Sequence, residues 1–275
     1  LVDPHAPYHA TATHHARHQG KIDSKPMRLA RKTAPGFQKK NKWFRWAMKK
    51  FKTTAPLVRR YISEIQRADE GLGELMDGLA HRGHGDNTAY FITSDHGENL
   101  GEHNLFFHHG GLYQETVHVP LVAYVPNKTP SISDELVQTV DIAPTILEIT
   151  NTPVWSPMRG QTLVNVAAGK ALGRNYVFSE HMNAQMVAIR SANSSLIMHL
   201  KSGSQFPAYR MRKGRSEFYN LRKDPKERRP IKKKSPERAK LEAQLEIFLN
   251  DSYEFEPRPA YAQDLDSLRA LGYLD

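Results

Sequence analysis

Between Leu57 and His81 apolar side chains return at alternating steps of four and three: Tyr61, Ile65, Ala68, Leu72, Leu75 and Leu79. That period lays one apolar stripe along an α-helix. Gly83, Gly85 and Asp86-Asn87 end the pattern. Thr88–Thr93 follows as a β-branched and aromatic run, which reads as a buried strand. A long helix handed straight to a strand constrains the fold more than any other feature of the chain. It predicts an α/β layer with mainly parallel strands. The run then passes directly into Ser94-Asp95-His96-Gly97-Glu98. Burial accounts for the strand, but not for an acid beside an imidazole where the strand ends.

Ligands of α/β sheets gather beyond the carboxyl ends of the strands, which is where Asp95 and His96 fall. Asp offers a hard anionic oxygen and His a neutral nitrogen, a pair that suits a divalent cation. Gly97 lets backbone pass close to whatever is bound. Glu98, Glu102 and His103 come next, then His108-His109-Gly110-Gly111. Glu98 and Glu102 are expected to hold the loop by hydrogen bonds rather than to bind a metal. The residues alone leave a structural and a functional reading of this stretch open.

The rest of the chain divides in two. His118–Val125 is a second strand candidate, and Asp141 can cap a helix over Ile142–Ile149, with Pro144 tolerated in its first turn. After the turn-rich Asn151–Gly160 come short strand candidates at Asn175–Glu180, Met186–Arg190, Ser195–Leu200 and Ser216–Leu221. A helix over Glu237–Leu249 follows, with Leu241, Leu245, Phe248 and Leu249 on one face. Residues 1–165 are therefore expected to form an α/β core and residues 166–275 a small α+β lobe, within what 275 residues can bury. Inside the core, residues 9–56 are His-rich at first and then crowded with Lys and Arg. There Trp43, Phe44, Trp46, Met48 and Phe51 interleave with Lys42, Arg45, Lys49 and Lys50. This is either a basic amphipathic helix that binds an anionic surface, or an insertion whose aromatics pack on the core while its charges stay solvated. The second is the default. His9, His14, His15 and His18 read as exposed loop residues, His81, His84 and His118 as structural or solvated, and Arg228–Lys234 as a solvated loop.

The formal charge of +10 points to an anionic partner, whether nucleic acid, acidic glycan or sulfated ester. The absence of cysteine excludes disulfides, thiolate metal sites and cysteine nucleophiles within these residues. No signal peptide and no apolar run long enough to cross a bilayer is present. Leu1 opens the chain without an initiator Met, which reads as the middle of a longer sequence.

Several separate motifs, in order, resemble the sulfatase family of the alkaline-phosphatase superfamily. Thr93 to His103, then His108-His109-Gly110-Gly111-Leu112-Tyr113 and Val119-Pro120-Leu121, carry the likeness most strongly. Asp3-Pro4-His5-Ala6-Pro7-Tyr8 is similar to the family's PHxPY segment, and Val140-Asp141-Ile142-Ala143-Pro144-Thr145 to its next signature. Glu217-Phe218-Tyr219-Asn220-Leu221 with Asp224-Pro225-Lys226-Glu227 resembles its ELYDL…DPxE strand and turn. Only residues 9–56 lack a clear counterpart.

The resemblance implies a partial alkaline-phosphatase-like core with a small C-terminal α+β subdomain. It implies hydrolysis of sulfate esters through a hydrated formylglycine, made from Cys or Ser in a C/S-x-P-x-R motif. That motif is absent here, as are the paired aspartates that complete the metal site, so both are expected upstream and this chain alone is expected to be inactive. Asp95 and His96 correspond to metal ligands. His5 corresponds to the imidazole that binds the sulfate or serves the leaving group. His109, with His108 as the alternative, falls nearest the residue that contacts a sulfate oxygen, where a protonated imidazole would balance charge on the ester. The cation is usually calcium in the family, but His96 stands where many relatives carry Asn, and nitrogen suits manganese or zinc better. The implied partner is a sulfate ester, an anionic glycan among the candidates, and not nucleic acid. The implied location is periplasmic or secreted, and oligomeric state is left undetermined. Alternatives from the residues are a phosphodiesterase or phosphonate monoester hydrolase of the same superfamily, and a non-catalytic basic protein that binds glycan or nucleic acid.

Overall fold

A computed structural model describes residues 4–8, 20, 22–154, 158–181, 185–206 and 209–252. Among these residues three short helices, α1 (Met27–Thr33), α2 (Gly36–Lys40) and α3 (Lys42–Lys50), precede the long α4 (Ala55–His81). Asn41 caps α3 by accepting from the Phe44 N–H. Pro56 enters α4 in its first turn, where no N–H is needed, and Gly83 beyond its end adopts a left-handed φ of 79°. The expected strand is β1 (Tyr90–Thr93), followed by β2 (Asn99–Leu100), β3 (Phe106–His108), the one-turn α5 (Gln114–Val117) and β4 (Leu121–Tyr124). Next come α6 (Ile142–Ile149) and α7 (Val164–Ala167). The chain continues through β5 (Val177–Glu180), β6 (Met186–Arg190), β7 (Ser194–His199), β8 (Gly203–Phe206), β9 (Tyr209–Met211), β10 (Ser216–Asn220) and α8 (Pro236–Ser252).

Three expectations about the core are corrected. Every strand pairing among the described residues is antiparallel, and β1 pairs only with β4, Tyr90 opposite Tyr124 and Thr93 opposite Leu121. Parallel neighbours need a crossover element. Here the chain returns instead through the β2–β3 hairpin and one helical turn, so it re-enters beside β1 running the other way. Nor is this ribbon buried: β1 is partly covered and Val122 in β4 is 55% exposed, since no third strand flanks the pair among the described residues. The predicted stripe of α4 is likewise covered only at its start. Leu57 and Val58 are buried, whereas Ile65 is 43% and Leu75 57% exposed.

The C-terminal sheet, ordered β10-β7-β6-β5, follows its period-two pattern closely. Val187, Ile189, Leu196 and Phe218 face α8 and pack with Leu241 and Leu245, one helical turn apart. Phe248 of α8 stacks on Phe178 at 4.2 Å. The other face carries Met186, Ala188, Ile197 and Tyr219, which close over Leu105, Leu112 and Tyr113. Polar residues stand among those apolar ones: Arg190, Ser195, His199 and Glu217, all buried. The lobe therefore meets the core through a face that is apolar at its centre and charged around it.

The basic segment is folded. Trp43, Phe44, Ala47 and Met48 of α3 turn inward onto Tyr8, Phe106 and Phe107, while Arg45, Lys49 and Lys50 stay exposed. Asp141 departs from its expected role. The helix it precedes is present, but the carboxylate makes no side-chain cap to it. It is buried, accepting from Gln138 N, Gln161 N and both terminal nitrogens of Arg174 at 2.5 and 2.7 Å. No described helix is long and apolar enough to cross a membrane. His9, His14, His15 and His18 lie outside the described residues.

Candidate active site

Asp95 and His96 occupy the loop that leaves β1, and local hydrogen bonds give that loop its shape. Ser94 Oγ donates to His96 O at 2.7 Å, and His96 N donates to Asp95 Oδ1 at 3.0 Å. His96 Nδ1 lies 2.9 Å from Gly97 O. A carbonyl can only accept, so Nδ1 carries the hydrogen and Nε2 keeps a lone pair. Gly97 is required by contact: its N–H donates to Thr116 O at 2.8 Å, and a Cβ there would sit 2.0 Å from Glu115 O.

The His108–Gly110 stretch is brought to the same place by Asn99. This fully buried side chain sets its Nδ2 2.8 Å from His108 O, 3.0 Å from Gly110 O and 3.0 Å from Thr116 Oγ1. Its importance is not evident from the sequence, where it is one polar residue in a polar motif. His5 arrives from the other end of the chain. Its neighbour Tyr8 is buried among Trp43, Tyr61 and Phe107, with ring centroids 5.3, 5.7 and 6.0 Å away. The intervening Ala6–Pro7 peptide is cis. His5 Nδ1 donates to Ala6 O at 2.6 Å, which leaves Nε2 as an acceptor on an exposed ring.

Four imidazoles thus converge. His109 stacks on His96 with centroids 4.0 Å apart, His108 lies 4.8 Å from His109, and His5 lies 5.6 Å from His109 and 6.2 Å from His96. Burial, then the nearness of the other imidazoles, pulls His109 down to about 3, with Asp95 opposing weakly. Burial, followed by His181, His5 and His96, pulls His108 down to about 4. Both rings are therefore neutral at physiological pH without a bound anion. In the free site burial and mutual repulsion oppose a charge on either ring, whereas the expected protonated imidazole concerns the site with the ester bound. His181, beyond β5, joins the cluster with no motif around it to signal the fact. Glu98, expected only to hold the loop by hydrogen bonds, lies beside Tyr8. Burial raises its carboxyl to about 8, with the Tyr8 hydroxyl partly offsetting that rise.

The donor set at Asp95–His96 fits one edge of a cation's shell. Asp95 Oδ2 and His96 Nε2 lie 3.7 Å apart, and with Nδ1 committed to Gly97 the facing atoms are both electron-pair donors. Asp95 is 60% exposed and so open to a ligand. Among the described residues no group of three His, Asp or Glu could hold a metal, so these two supply only part of a shell.

The C-terminal lobe secures the loop just past His109. Glu227, fully buried, accepts from Gln114 N at 2.6 Å and from Ser195 Oγ, and both its oxygens take Arg190 Nη2, at 2.6 and 2.8 Å. The same Arg190 Nη2 donates to Leu112 O at 2.9 Å. Glu217 accepts from the hydroxyls of Tyr113 and Tyr219 at 3.0 and 2.6 Å.

A family model described as sulfatase matches residues 1–152, more than half of the chain. The chain belongs to the sulfatase family. A second family model, N-sulphoglucosamine sulphohydrolase, C-terminal, matches residues 101–254. An arylsulfatase of Clostridium perfringens is 26% identical over 173 residues, covering 61% of this chain and 34% of the relative. An N-acetylglucosamine-6-O-sulfatase of Bacteroides thetaiotaomicron is 29% identical over 177 residues, covering 60% and 32%. This sulfatase chain thus spans about a third of the curated relatives it matches. Among solved structures, an enzyme in complex with its substrate D-glucosamine-2-N,6-O-disulfate superposes with a TM-score of 0.70 at 20% identity, over 93% of this chain and 65% of that one. A complex with k-i-k-neocarrahexaose gives 0.61 at 14% identity, over 98% and 53%. These likenesses show the alkaline-phosphatase-like fold expected from the motifs.

Proposed function

We propose that these residues form part of the active site of an enzyme that hydrolyses sulfate esters, with the nucleophile contributed by a segment outside the chain. The observation that carries this reading is the convergence of His5 and His109 on the Asp95–His96 pair, which unites segments about ninety positions apart in a family member. The family match favours sulfate over the phosphodiester or phosphonate alternative.

Asp95 and His96 would hold a divalent cation, calcium or, given the nitrogen donor, manganese or zinc. When bound, that cation supplies positive charge that polarises the ester and lowers the pKa of the attacking hydroxyl, a formylglycine hydrate in this reading. The chain's own residues do the rest. His109 and His108, neutral in the free site, each keep one ring N–H to donate to a sulfate oxygen. The monoanionic sulfate ester among them offsets the mutual repulsion that holds them neutral, so its binding promotes protonation. Charge balance on the ester oxygens is thereby created with the substrate. His5, its Nε2 free to accept, can take up a proton and return it to the departing alcohol. Asn99 and Gly97 keep the two loops at the separation this requires.

The test is hydrolysis of an aryl sulfate and of an aryl phosphodiester by the complete gene product, titrated with calcium, manganese and zinc. Sulfate turnover that depends on added metal and disappears in Asp95→Ala is expected. Phosphodiester turnover exceeding sulfate turnover, or full activity of Asp95→Ala at limiting metal, would overturn the proposal.

A further inference from the structure

The positive charge of this chain is concentrated in one place. Ser24–Ser63 contains thirteen Lys and Arg and no Asp or Glu, whereas the other 235 residues hold 26 cations against 29 acids. The segment folds into α1–α3 and the start of α4, with Met27, Ala30, Ala34, Phe44, Ala47 and Leu57 committed to the core under Tyr8. No cation between Arg28 and Lys52 has an ion-pair partner among the described residues. In their midst Trp46 is 38% exposed, its ring 5.0 Å from Lys50 Nζ, 5.5 Å from the Arg60 guanidinium and edge-on to Phe51 at 5.5 Å. Arg60 in turn donates to Tyr8 O at 3.4 Å, three residues from His5.

We propose that this face, centred on Trp46, is a docking surface for a sulfated polysaccharide chain. Arg45, Lys49 and Lys50 stand exposed on α3, with Lys50 and Arg60 against the Trp46 ring, and a linear polyanion relieves the mutual repulsion of such close cations. A flat indole between two cations offers an apolar surface for a sugar ring, with charge-assisted hydrogen bonds to sulfates on either side. A membrane helix would lay its apolar face into lipid, but the apolar face of α3 is already spent on the protein core. Arg60 and Tyr8 connect the surface to the His5 strap, so a chain lying across α3 carries further esters toward the imidazole cluster. This linkage rests on the sulfate-ester reading of that cluster and favours a sulfated glycan over duplex nucleic acid.

The test is binding by the 275-residue chain, followed by tryptophan fluorescence and salt titration. The probes are heparin, fully desulfated heparin, short duplex DNA, and vesicles of phosphatidylserine with phosphatidylcholine. Heparin is expected to bind tightest. A triple variant, Arg45→Ala with Lys49→Ala and Lys50→Ala, should bind it about tenfold more weakly, with the slope of log K against log salt smaller by at least about one. Trp46→Ala should weaken heparin binding about threefold and reduce the emission change, while circular dichroism stays unchanged in both variants. Unchanged affinity in the triple variant, equal affinity for desulfated heparin, or DNA or vesicles bound as tightly as heparin would overturn the proposal. Heparin binding needs no turnover, and hydrolysis of a small aryl sulfate needs none of these side chains, so failure of either reading is distinguishable from failure of the other.

Discussion

Removing the Glu227 carboxylate should release the C-terminal lobe's hold on the loop that follows His109. In Glu227→Ala the Arg190 guanidinium stays buried with its counter-ion gone, and its Nε and Nη1 already lack hydrogen-bond partners. Gln114 N and Ser195 Oγ lose their acceptor at the same moment. Breaking a buried pair from one side costs about 3–5 kcal/mol, and each stranded donor about 1–3 more, though such costs are not additive where groups share one partner. A loss of about 4 kcal/mol is the working value, read as the shift in urea midpoint at constant m from tryptophan fluorescence. Glu227→Gln keeps an acceptor oxygen without the charge and should lose about half as much. Combining Glu227→Ala with Arg190→Met removes both charges. It should recover part of the loss but not all, because Gln114 N and Leu112 O remain without partners. A Glu227→Ala midpoint equivalent to less than about 1 kcal/mol, or a double variant worse than the sum of the singles, would refute the view that this ion pair clamps lobe to loop.

Glu217 should make the lobe acid-sensitive. Burial alone would raise its carboxyl, but hydrogen bonds from His199, Tyr219 and Tyr113, with the charge of Arg215, outweigh that and hold it at about 2. Between its unfolded value and about 2 the unfolded chain takes the proton first, so this stability is complete above about pH 4.5 and lost as pH falls through 2. Glu217→Gln should flatten an acid limb of about 3 kcal/mol in urea midpoints measured across that range, and an unaltered limb would contradict the assignment. Gly97→Ala should destabilise by about 2 kcal/mol or more, since its Cβ would meet a backbone oxygen at 2.0 Å, and a wild-type melting temperature would count against that packing. In calorimetric titration of the 275-residue chain with manganese, Asp95→Ala should abolish whatever binding is seen and His96→Asn should weaken it. Stronger manganese binding by His96→Asn would argue against a nitrogen ligand. In the complete enzyme His109→Ala should lower kcat by about 10²–10³, the effect of one lost hydrogen bond to developing charge, and retained turnover would remove His109 from the site.

What could be read from the sequence was what neighbouring residues determine among themselves. The apolar run Met186–Arg190 became a strand over those residues, and Ile142–Ile149 became a helix, because strand and helix preferences act over a few positions. The motif around Asp95 marked a loop at a strand end for the same reason. Pairing was different. Nothing within Tyr90–Thr93 distinguishes an antiparallel partner from a parallel one, and that choice was made by the path of the chain between β1 and β4. Asp141 shows the same limit: a capping acid and a buried ion-pair acid look alike until Arg174, thirty-three residues on, arrives beside one of them. Resemblance could nominate His5 and His109, but their meeting depends on Tyr8 seated among Trp43, Tyr61 and Phe107, and on Asn99 reaching His108 and Gly110. The charge on those imidazoles lay furthest beyond the sequence. A histidine's ionisation is set by how much water it has lost and which charges surround it, and only the folded chain determines either.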